Sequence, residues 1–355
     1  MMYKIEKLRA AMKKEALDAF LITSPYNLRY LTNFTGTTGL AVITLDKAFF
    51  VTDFRYTEQA TAQAQGFEIV TNKGPIFDEV AKICLQEEIN AIAFEESFVS
   101  FADYQWLEEI IEESSLVPIS GMIETLREVK DENEIELIQK ACAIADQGIA
   151  NTLKTIRPGM TEIEVANQLD FFMRSLGATS VSFETIVASG VRSAMPHGVA
   201  SNKVIEKNDL ITIDFGCYYE GYVSDVTRTF AIGDPGEKLK EIYQIVLEAN
   251  QKVIEMAKPG MTGIQLDAVA RDHIASYGYK EAFGHSTGHG IGLEIHEGPN
   301  VSFRAEKAFV AGNVITDEPG IYLPGIGGVR IEDDLLITST GNRVFTQAPK
   351  ELILL

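Results

Sequence analysis

The chain has 355 residues, of which 46% are hydrophobic, and it carries a formal net charge of −20 at pH 7. This length and apolar content predict two domains with large cores, and the negative charge argues against nucleic acids and anionic membranes as partners. The charged first helix, the lack of a membrane-length apolar run and three cysteines without a pairing pattern predict a cytoplasmic protein without structural disulfides.

The first 125 residues alternate predicted helices and strands. Apolar spacing predicts helices over residues 3–16, from about residue 55, over 76–86 and over 102–113. Predicted strands lie at 18–24, 40–45, 48–53, 67–71 and 91–96, with a glycine-rich turn at 36–39. The pattern indicates an α/β domain over residues 1–125, without a phosphate-binding loop or a catalytic cluster.

A long helix is predicted near the start of the second domain, residues 126–355. Asp131 is a favourable N-cap residue, and Glu134 three positions later gives a variant of the capping box. Apolar residues then recur at helical spacing as far as Ala145. The stretch from residue 120 to residue 130 is therefore the predicted linker between the domains.

The second domain contains a weak internal repeat. RPGMTEIEVANQLDFFMRSLG begins at Arg157, and KPGMTGIQLDAVARDHIASYG begins at Lys258. Each copy predicts a helix that opens after Met-Thr and ends at a glycine, Gly177 or Gly278. Two such α/β halves predict a pseudo-symmetric sheet with a site between them. His273 falls inside the second repeat helix and is predicted to be structural.

Two aspartates lie on the arms of a predicted β-hairpin in LITIDFGCYYEGYVSDVTRTF. Asp214 and Asp225 are an odd number of residues apart, so a two-residue turn near Gly221 places them on one face, directly opposite or diagonal. Carboxylates roughly 5–8 Å apart repel each other unless a cation lies between them. Two solvated aspartates on a strand remain the alternative for this pair alone.

Further candidate metal ligands follow near the C-terminus. GHSTGHGIGLEIHEGP holds His285, His289 and His296, three of the five histidines in the chain, and Glu318 and Glu332 come later. Four carboxylates and one imidazole, that of His289, suit two hard divalent ions, with Mn²⁺ accommodated best and Co²⁺ or Zn²⁺ also accepted.

The residues around Glu332 carry further expectations, since GGVRIEDDLLIT is predicted to be one strand. Arg330 lies on the same predicted strand face, where it could orient Glu332 or a substrate carboxylate. Asp333 and Asp334 are predicted to be structural or solvated.

In combination, the two-aspartate hairpin, GHGIG…HE, DEPGIY and VRIEDD resemble the pita-bread metallopeptidases, in particular their proline-directed branch of Xaa-Pro aminopeptidases and Xaa-Pro dipeptidases. The resemblance implies an N-terminal creatinase-like domain, a C-terminal pita-bread catalytic domain, manganese and a homodimer. It implies that the metal ligands are Asp214, Asp225, His289, Glu318 and Glu332. It also implies that His197 and His296 contact the substrate and the tetrahedral intermediate, that His285 lines the site, and that Arg330 supports it.

This set predicts hydrolysis of an amide bond. Two adjacent divalent ions lower the pKa of a water molecule between them and make it a nucleophile at neutral pH. Glu318 is the best candidate to take the proton of that water and pass it to the leaving nitrogen. His296 and His197 are neutral donors suited to a developing oxyanion.

The substrate preference leaves alternatives open. The two-domain length, with RPGMTEIEVAN, VSFETIVASG and DFGCYYE, looks more like the short bacterial aminopeptidases P, so the favoured function is cleavage of an N-terminal residue from a following proline. The main alternative is an Xaa-Pro dipeptidase. A methionine aminopeptidase, a creatinase-like enzyme and a non-catalytic binding protein on the same scaffold are less favoured, because the N-terminal domain and all five ligands are present.

Overall fold

The computed structural model describes residues 2–355, which form two compact units with the boundary between Arg127 and Glu128. The predicted linker over residues 120–130 is partly helical, since a short helix spans Met122–Arg127. The predicted domain boundary at residue 125, between a domain of residues 1–125 and one of residues 126–355, stays a prediction. Among the described residues, no helix combines the length and the apolar character needed to cross a bilayer.

The first unit is built on a six-stranded mixed sheet with the order β4-β3-β2-β1-β5-β6. Its strands are β1 (Ala19–Ile22), β2 (Leu40–Thr44), β3 (Ala48–Thr52), β4 (Glu68–Thr71), β5 (Ala91–Glu95) and β6 (Ser115–Ile119). Its helices are α1 (Met2–Lys14), α2 (Pro25–Thr32), α3 (Thr57–Gln63), α4 (Ile76–Gln86), α5 (Phe101–Ile110) and α6 (Met122–Arg127). Strands β1 to β3 are buried along their whole length, which explains their continuous apolar sequences.

Besides α6, which lies in the predicted linker, two elements of this unit are absent from the predicted pattern. Helix α2 begins at Pro25 behind the N-cap Ser24, whose side chain accepts a hydrogen bond from the backbone of Asn27. Edge strand β6 pairs only with β5 and contains Pro118, which an edge position tolerates. Both segments are short and carry little periodicity, so apolar spacing alone does not indicate them.

The second unit contains two α/β halves. Its helices are α7 (Glu132–Thr152), α8 (Glu162–Ser175), α9 (Glu237–Met256) and α10 (Gly263–Ser276), with 3₁₀ turns at Gly190–Ala194 and Lys280–Ala282. Its strands are β7 (Ser180–Val181), β8 (Ile186–Ser189), β9 (Leu210–Phe215), β10 (Cys217–Tyr219), β11 (Tyr222–Val223), β12 (Val226–Ala231), β13 (Gly288–Gly290), β14 (Glu297–Val301), β15 (Val314–Asp317), β16 (Gly320–Leu323), β17 (Gly327–Arg330), β18 (Asp333–Ile337) and β19 (Asn342–Val344).

Each half has its own core. Helices α7 and α8 pack through apolar residues such as Ile149 and Leu169 on the sheet ordered β12-β9-β8. Helices α9 and α10 pack through residues such as Val246 and Ile274 on the sheet ordered β14-β13-β15-β18-β19. The mixed α/β architecture predicted for this region is confirmed.

The two repeat copies form helices α8 and α10, which begin in the same way. Thr161 and Thr262 are the N-caps, and each makes a full capping box with the residue three positions later. Gly177 and Gly278 follow the helix ends with φ of 110° and 86°, a left-handed conformation that favours glycine. The helices predicted from the repeat therefore exist with their expected ends.

The aspartate hairpin is interrupted, which differs from the predicted continuous pair of arms. A two-residue turn at Glu220 and Gly221, with φ of 46° and 86°, joins β10 to β11. Strands β9 and β12 pair in a different sheet. At the break, Gly216 lies so close to Ser224 that a Cβ atom there would be 1.9 Å from its carbonyl oxygen, so the close crossing requires glycine.

Candidate active site

The structure brings all five predicted metal ligands to one cavity of about 540 Å³. Each lies at or near a strand end in the second unit, where the backbone can aim a side chain out of the sheet. Asp214 lies in β9, Asp225 just before β12, His289 in β13, Glu318 between β15 and β16, and Glu332 between β17 and β18. The first half thus supplies the two aspartates, and the second half supplies the other three residues.

The ligand atoms are close enough to share cations. His289 Nε2 lies 3.5 Å from both Asp225 Oδ2 and Glu318 Oε1. Asp225, His289 and Glu332 offer ligand atoms that all lie within 4.8 Å of one another. In the pairing of β9 with β12, Asp214 lies directly opposite Thr227. Asp225, two residues before Thr227, is therefore on the same face and diagonal to Asp214, which is one of the two arrangements predicted from the spacing of the aspartates.

The protonation behaviour of the carboxylates fits a site built for cations. Burial, followed by the charge of Asp214, raises the pKa of Asp225 well above its usual range, and burial with the charge of Asp225 does the same for Glu332. Burial also raises the pKa of Glu318 to about 8. Asp214 Oδ1 is buried without a hydrogen-bond partner among the described residues. Divalent ions would relieve this repulsion and occupy the unpaired oxygen.

His289 has the ring orientation of a metal ligand. Its Nδ1 lies 3.0 Å from the carbonyl oxygen of Gly290, which can only accept a hydrogen bond, so Nδ1 carries the proton. Nε2 then keeps a free lone pair directed toward Asp225 and Glu318. Burial lowers the pKa of His289 to about 4, so the ring is neutral at pH 7.

Arg330 contacts a different carboxylate from the predicted one. Its Nη2 donates to Asp214 Oδ2 at 2.7 Å, its Nε to Thr227 Oγ1 at 3.0 Å, and its Nη1 to Tyr322 Oη at 2.7 Å. Thr227, in turn, donates to Glu332 Oε2 at 2.7 Å. The prediction of one continuous strand is wrong, because the segment is divided into β17 and β18. Arg330 reaches Glu332 through Thr227 rather than by direct contact, and its role in orienting Glu332 or a substrate carboxylate stays a prediction.

The two aspartates after Glu332 are fully buried and structural rather than solvated. Asp334 Oδ2 accepts hydrogen bonds from the backbone N–H of Asp225 at 3.0 Å and from Cys142 Sγ at 3.2 Å. Burial would raise the pKa of Asp333, but the charges of Arg228 and Lys350 outweigh it and lower the pKa to about 2. Together they fix the strand that follows the ligand.

The three remaining predicted histidines line the same cavity. His285 donates from Nδ1 to the carbonyl oxygen of Ser286 at 2.8 Å, so its Nε2 accepts from Tyr322 Oη at 2.9 Å. The rings of His296 and His289 are 4.4 Å apart between centroids, and burial lowers the pKa of His296. His197 is exposed, on the turn that follows the first 3₁₀ helix.

Several side chains that line the cavity or contact its lining residues are outside the sequence-based predictions. The register of the predicted hairpin could have indicated Thr227, because it places this residue opposite Asp214. Tyr322 lies in the predicted strand after DEPG, but its contacts with Arg330 and His285 need the fold. An apolar wall of Phe183, Ile186, Pro196, Val199 and Ile295 also borders the cavity, and no local pattern indicates it.

Comparison with known proteins agrees with this arrangement. Residues 136–339 match the model of metallopeptidase family M24, and residues 4–129 match that of the creatinase/prolidase N-terminal domain. A solved Xaa-Pro dipeptidase from Bacillus anthracis is 53% identical, with a TM-score of 0.98, and the match covers 100% of this chain and 99% of that one.

Two further relatives differ in their described activity. An Xaa-Pro dipeptidase from Pyrococcus horikoshii is 43% identical over 99% of this chain and 98% of its own length. A crystal structure of X-Pro aminopeptidase from Thermotoga maritima is 42% identical, with a TM-score of 0.91, over 96% of this chain and 98% of that one. The resemblance to the pita-bread metallopeptidases is confirmed. The chain belongs to metallopeptidase family M24, with a creatinase/prolidase N-terminal domain, and is a hydrolase of the kind that works with divalent metal ions.

Proposed function

We propose that the protein is an Xaa-Pro dipeptidase that hydrolyses the bond between the first residue and proline in Xaa-Pro dipeptides. The observation that carries this proposal is one cavity that gathers the four candidate carboxylate ligands, four histidines and Arg330. The dipeptidases from Bacillus anthracis and Pyrococcus horikoshii support the dipeptide preference. The sequence-based preference for an aminopeptidase P lacks comparable support and becomes the alternative, kept open by the relative from Thermotoga maritima.

The ligand set would hold two divalent ions, and an oxygen-rich set with one imidazole favours Mn²⁺. Asp214, Asp225, His289, Glu318 and Glu332 are the residues that would bind them. When bound, such ions lower the pKa of a water molecule and polarise the scissile carbonyl group. The chain contributes the remaining steps through its own side chains.

Glu318 is the residue that we assign to proton transfer. Its Oε1 is near Thr316 Oγ1, at 3.4 Å, and near His289, whereas Oε2 faces His285 at 3.8 Å. Oε2 is therefore the freer atom to take a proton from the attacking water and deliver it to the leaving prolyl nitrogen.

Two histidines are suited to bind the carbonyl oxygen as negative charge develops on it. The lowered pKa of His296 keeps its imidazole neutral at pH 7, with one N–H available for donation. His197 reaches the cavity from the opposite half, on the turn after β8. We assign both as oxyanion donors, with His285 and Arg330 holding the surrounding network in place.

A proline at the second position fits the two walls of the cavity. We assign the polar lining residues to the carbonyl side of the scissile bond, so binding does not require the N–H that proline lacks. The apolar wall with Phe183, Ile186 and Val199 offers a surface for the prolyl ring. We further propose a homodimer, as the resemblance implies.

Matched peptides test the proposal. The purified protein, stripped with a chelator and reloaded with Mn²⁺, should hydrolyse Ala-Pro faster than Ala-Pro-Gly-Gly and leave Ala-Gly largely intact. If alanine is released faster from Ala-Pro-Gly-Gly than from Ala-Pro, the protein is an aminopeptidase P and the dipeptidase assignment is wrong. Full activity in an Asp225→Ala variant would refute the metal-dependent reaction at this cavity.

A further inference from the structure

Glu162 is a fully buried carboxylate that lies outside the cavity and has no part in the reaction described above. It occupies the first position of α8, directly after the N-cap Thr161, which makes the capping box with Glu164. The side chain of Glu162 is therefore not needed to cap its own helix. It points instead at the segment from residue 189 to residue 201, and a buried carboxylate needs such partners.

One carboxylate group binds both ends of that segment. Oε1 accepts from the backbone N–H and the hydroxyl group of Ser189, at 2.8 Å and 2.9 Å. Oε2 accepts from the backbone N–H and the hydroxyl group of Ser201, at 3.1 Å and 2.7 Å. Glu162 thus ties the end of β8 to the chain that leaves the His197 turn.

An arginine extends this attachment into the middle of the segment. Arg192 Nη1 forms an ion pair with Glu162 Oε2, and its Nη2 donates to the carbonyl oxygen of Val199 at 3.0 Å. The backbone N–H of Val199 in turn donates to the carbonyl oxygen of His197 at 2.9 Å. Glu162 is therefore connected to the backbone of His197 through Arg192 and Val199.

The His197 ring has no attachment of its own that could replace this one. It is exposed, and within residues 2–355 it makes no side-chain hydrogen bond. The turn behind it is tightly packed, since a Cβ atom at Gly198 would lie 2.9 Å from the Cβ of Ala188 and 3.1 Å from the carbonyl oxygen of Met195. The position of the ring therefore follows the position of its backbone.

We propose that Glu162 is a positioning residue that sets the His197 turn against the cavity. The proposal rests on the proposed function, in which His197 donates to the substrate carbonyl oxygen. Displacing a catalytic group by about 1 Å can cost roughly 100-fold in rate. Loss of Glu162 should therefore act on the reaction through His197, although Glu162 contacts neither the cavity nor a predicted metal ligand.

A double-mutant cycle separates positioning from general stability. The Mn²⁺-loaded wild type, Glu162→Gln, His197→Ala and the double variant are compared on Ala-Pro by kcat and KM. We expect Glu162→Gln to lower kcat/KM about tenfold or more in the wild-type background, mainly through kcat, because a donor to the developing oxyanion is misplaced. In the His197→Ala background the same change should cost less than about twofold, since the group that it positions is gone.

A matched control comes from the other unit of the chain. Glu95 is also a buried carboxylate, and it accepts from the backbone N–H groups of Thr23 and Ser24 and from Asn27 Nδ2. Glu95→Gln should lower the melting temperature while changing kcat/KM by the same factor in both backgrounds. An equal loss from Glu162→Gln in both backgrounds, or no loss, would overturn the proposal.

A readout that does not need activity keeps this inference separate from the proposed function. Hydrogen–deuterium exchange in residues 189–201 should speed up in Glu162→Gln and stay unchanged in Glu95→Gln, while Mn²⁺ affinity stays within about twofold of wild type in both. If Glu162→Gln does not fold, Arg192→Met removes the ion pair with Glu162 and the hydrogen bond to Val199 but keeps the bonds from Ser189 and Ser201 to Glu162, so it should give a smaller effect with the same dependence on His197. A wild type that is inactive on both proline peptides would refute the proposed function, whereas unchanged exchange in residues 189–201 would refute the role of Glu162.

Discussion

Thr227→Val should weaken metal binding, although Thr227 is not itself a candidate ligand. The fully buried hydroxyl group accepts from Arg330 Nε at 3.0 Å and donates its only hydrogen to Glu332 Oε2 at 2.7 Å. Valine has nearly the same shape and can do neither. The substitution therefore leaves one buried donor and one buried carboxylate oxygen without that partner.

The magnitude follows from these two lost hydrogen bonds. Each unpaired buried polar group costs about 1–3 kcal/mol, so the metal-free protein should lose about 2–6 kcal/mol of its free energy of unfolding. Groups that orient a metal ligand typically change metal affinity by about 10–100-fold when they are removed. We expect a loss of Mn²⁺ affinity in that range, because Glu332 would no longer be held toward Asp225 and His289.

Thr212→Val is the matched control. Thr212 is also a buried threonine on the adjacent strand, and its hydroxyl group contacts Thr229 Oγ1 at 3.0 Å and the carbonyl oxygen of Gly328 at 3.4 Å. None of these groups belongs to a candidate ligand. Calorimetric Mn²⁺ titration and urea unfolding of both variants separate the two effects. Wild-type affinity in Thr227→Val, or an equal loss in Thr212→Val, would refute the assignment of Thr227.

Three further predictions test the network around the metal site. Tyr322→Phe removes the hydroxyl group that accepts from the guanidinium group of Arg330 and donates to the imidazole of His285. The kcat/KM for Ala-Pro should therefore fall about tenfold. An unchanged kcat/KM would show that the hydrogen bonds of Tyr322 do not support the reaction. In the metal-free protein the pKa of Glu318 is raised from 4.5 to about 8, so between these values the folded state holds a proton that the unfolded state has lost. The free energy of unfolding, measured with urea in the presence of a chelator, should therefore fall as the pH rises from about 5 to 8. A free energy of unfolding that increases over this pH range would contradict the prediction. Asp333→Asn should cost about 3–5 kcal/mol in urea unfolding, because it leaves the buried guanidinium group of Arg228 without its carboxylate, and a loss below about 1 kcal/mol would show that this pair is not needed.

Local patterns were sufficient where a residue's role depends on its own strand or helix. The repeated Pro-Gly-Met-Thr sequence and the glycines at 177 and 278 predict both repeat helices, and residue parity places Asp214 and Asp225 on one face. These features depend on side chains within a few positions of one another, and the period of the element fixes their directions.

Local patterns failed where the chain changes sheet. The predicted hairpin continues through Gly216, and the predicted strand continues from Arg330 to Glu332, yet both break because the backbone crosses to a neighbouring layer. Which carboxylate Arg330 contacts depends on that crossing, since Asp214 is far away in the sequence. The sequence gives no signal for the role of Glu162, because that role depends on contacts with a distant loop that has no periodicity of its own.

The division of the candidate ligands between the two halves would make metal binding a property of the whole second unit. Asp214 and Asp225 lie in or next to the sheet of the first half, whereas His289, Glu318 and Glu332 lie in or after strands of the second. Hydrogen bonds from Arg330 to Asp214 and from Thr227 to Glu332 cross between these groups, so neither half can orient its ligands alone. Without cations, the same arrangement crowds four acidic groups into a buried space and opposes the packing of the halves. Ions bound by the candidate ligands would turn this repulsion into attraction, so we expect metal binding and the packing of the two halves to stabilise each other.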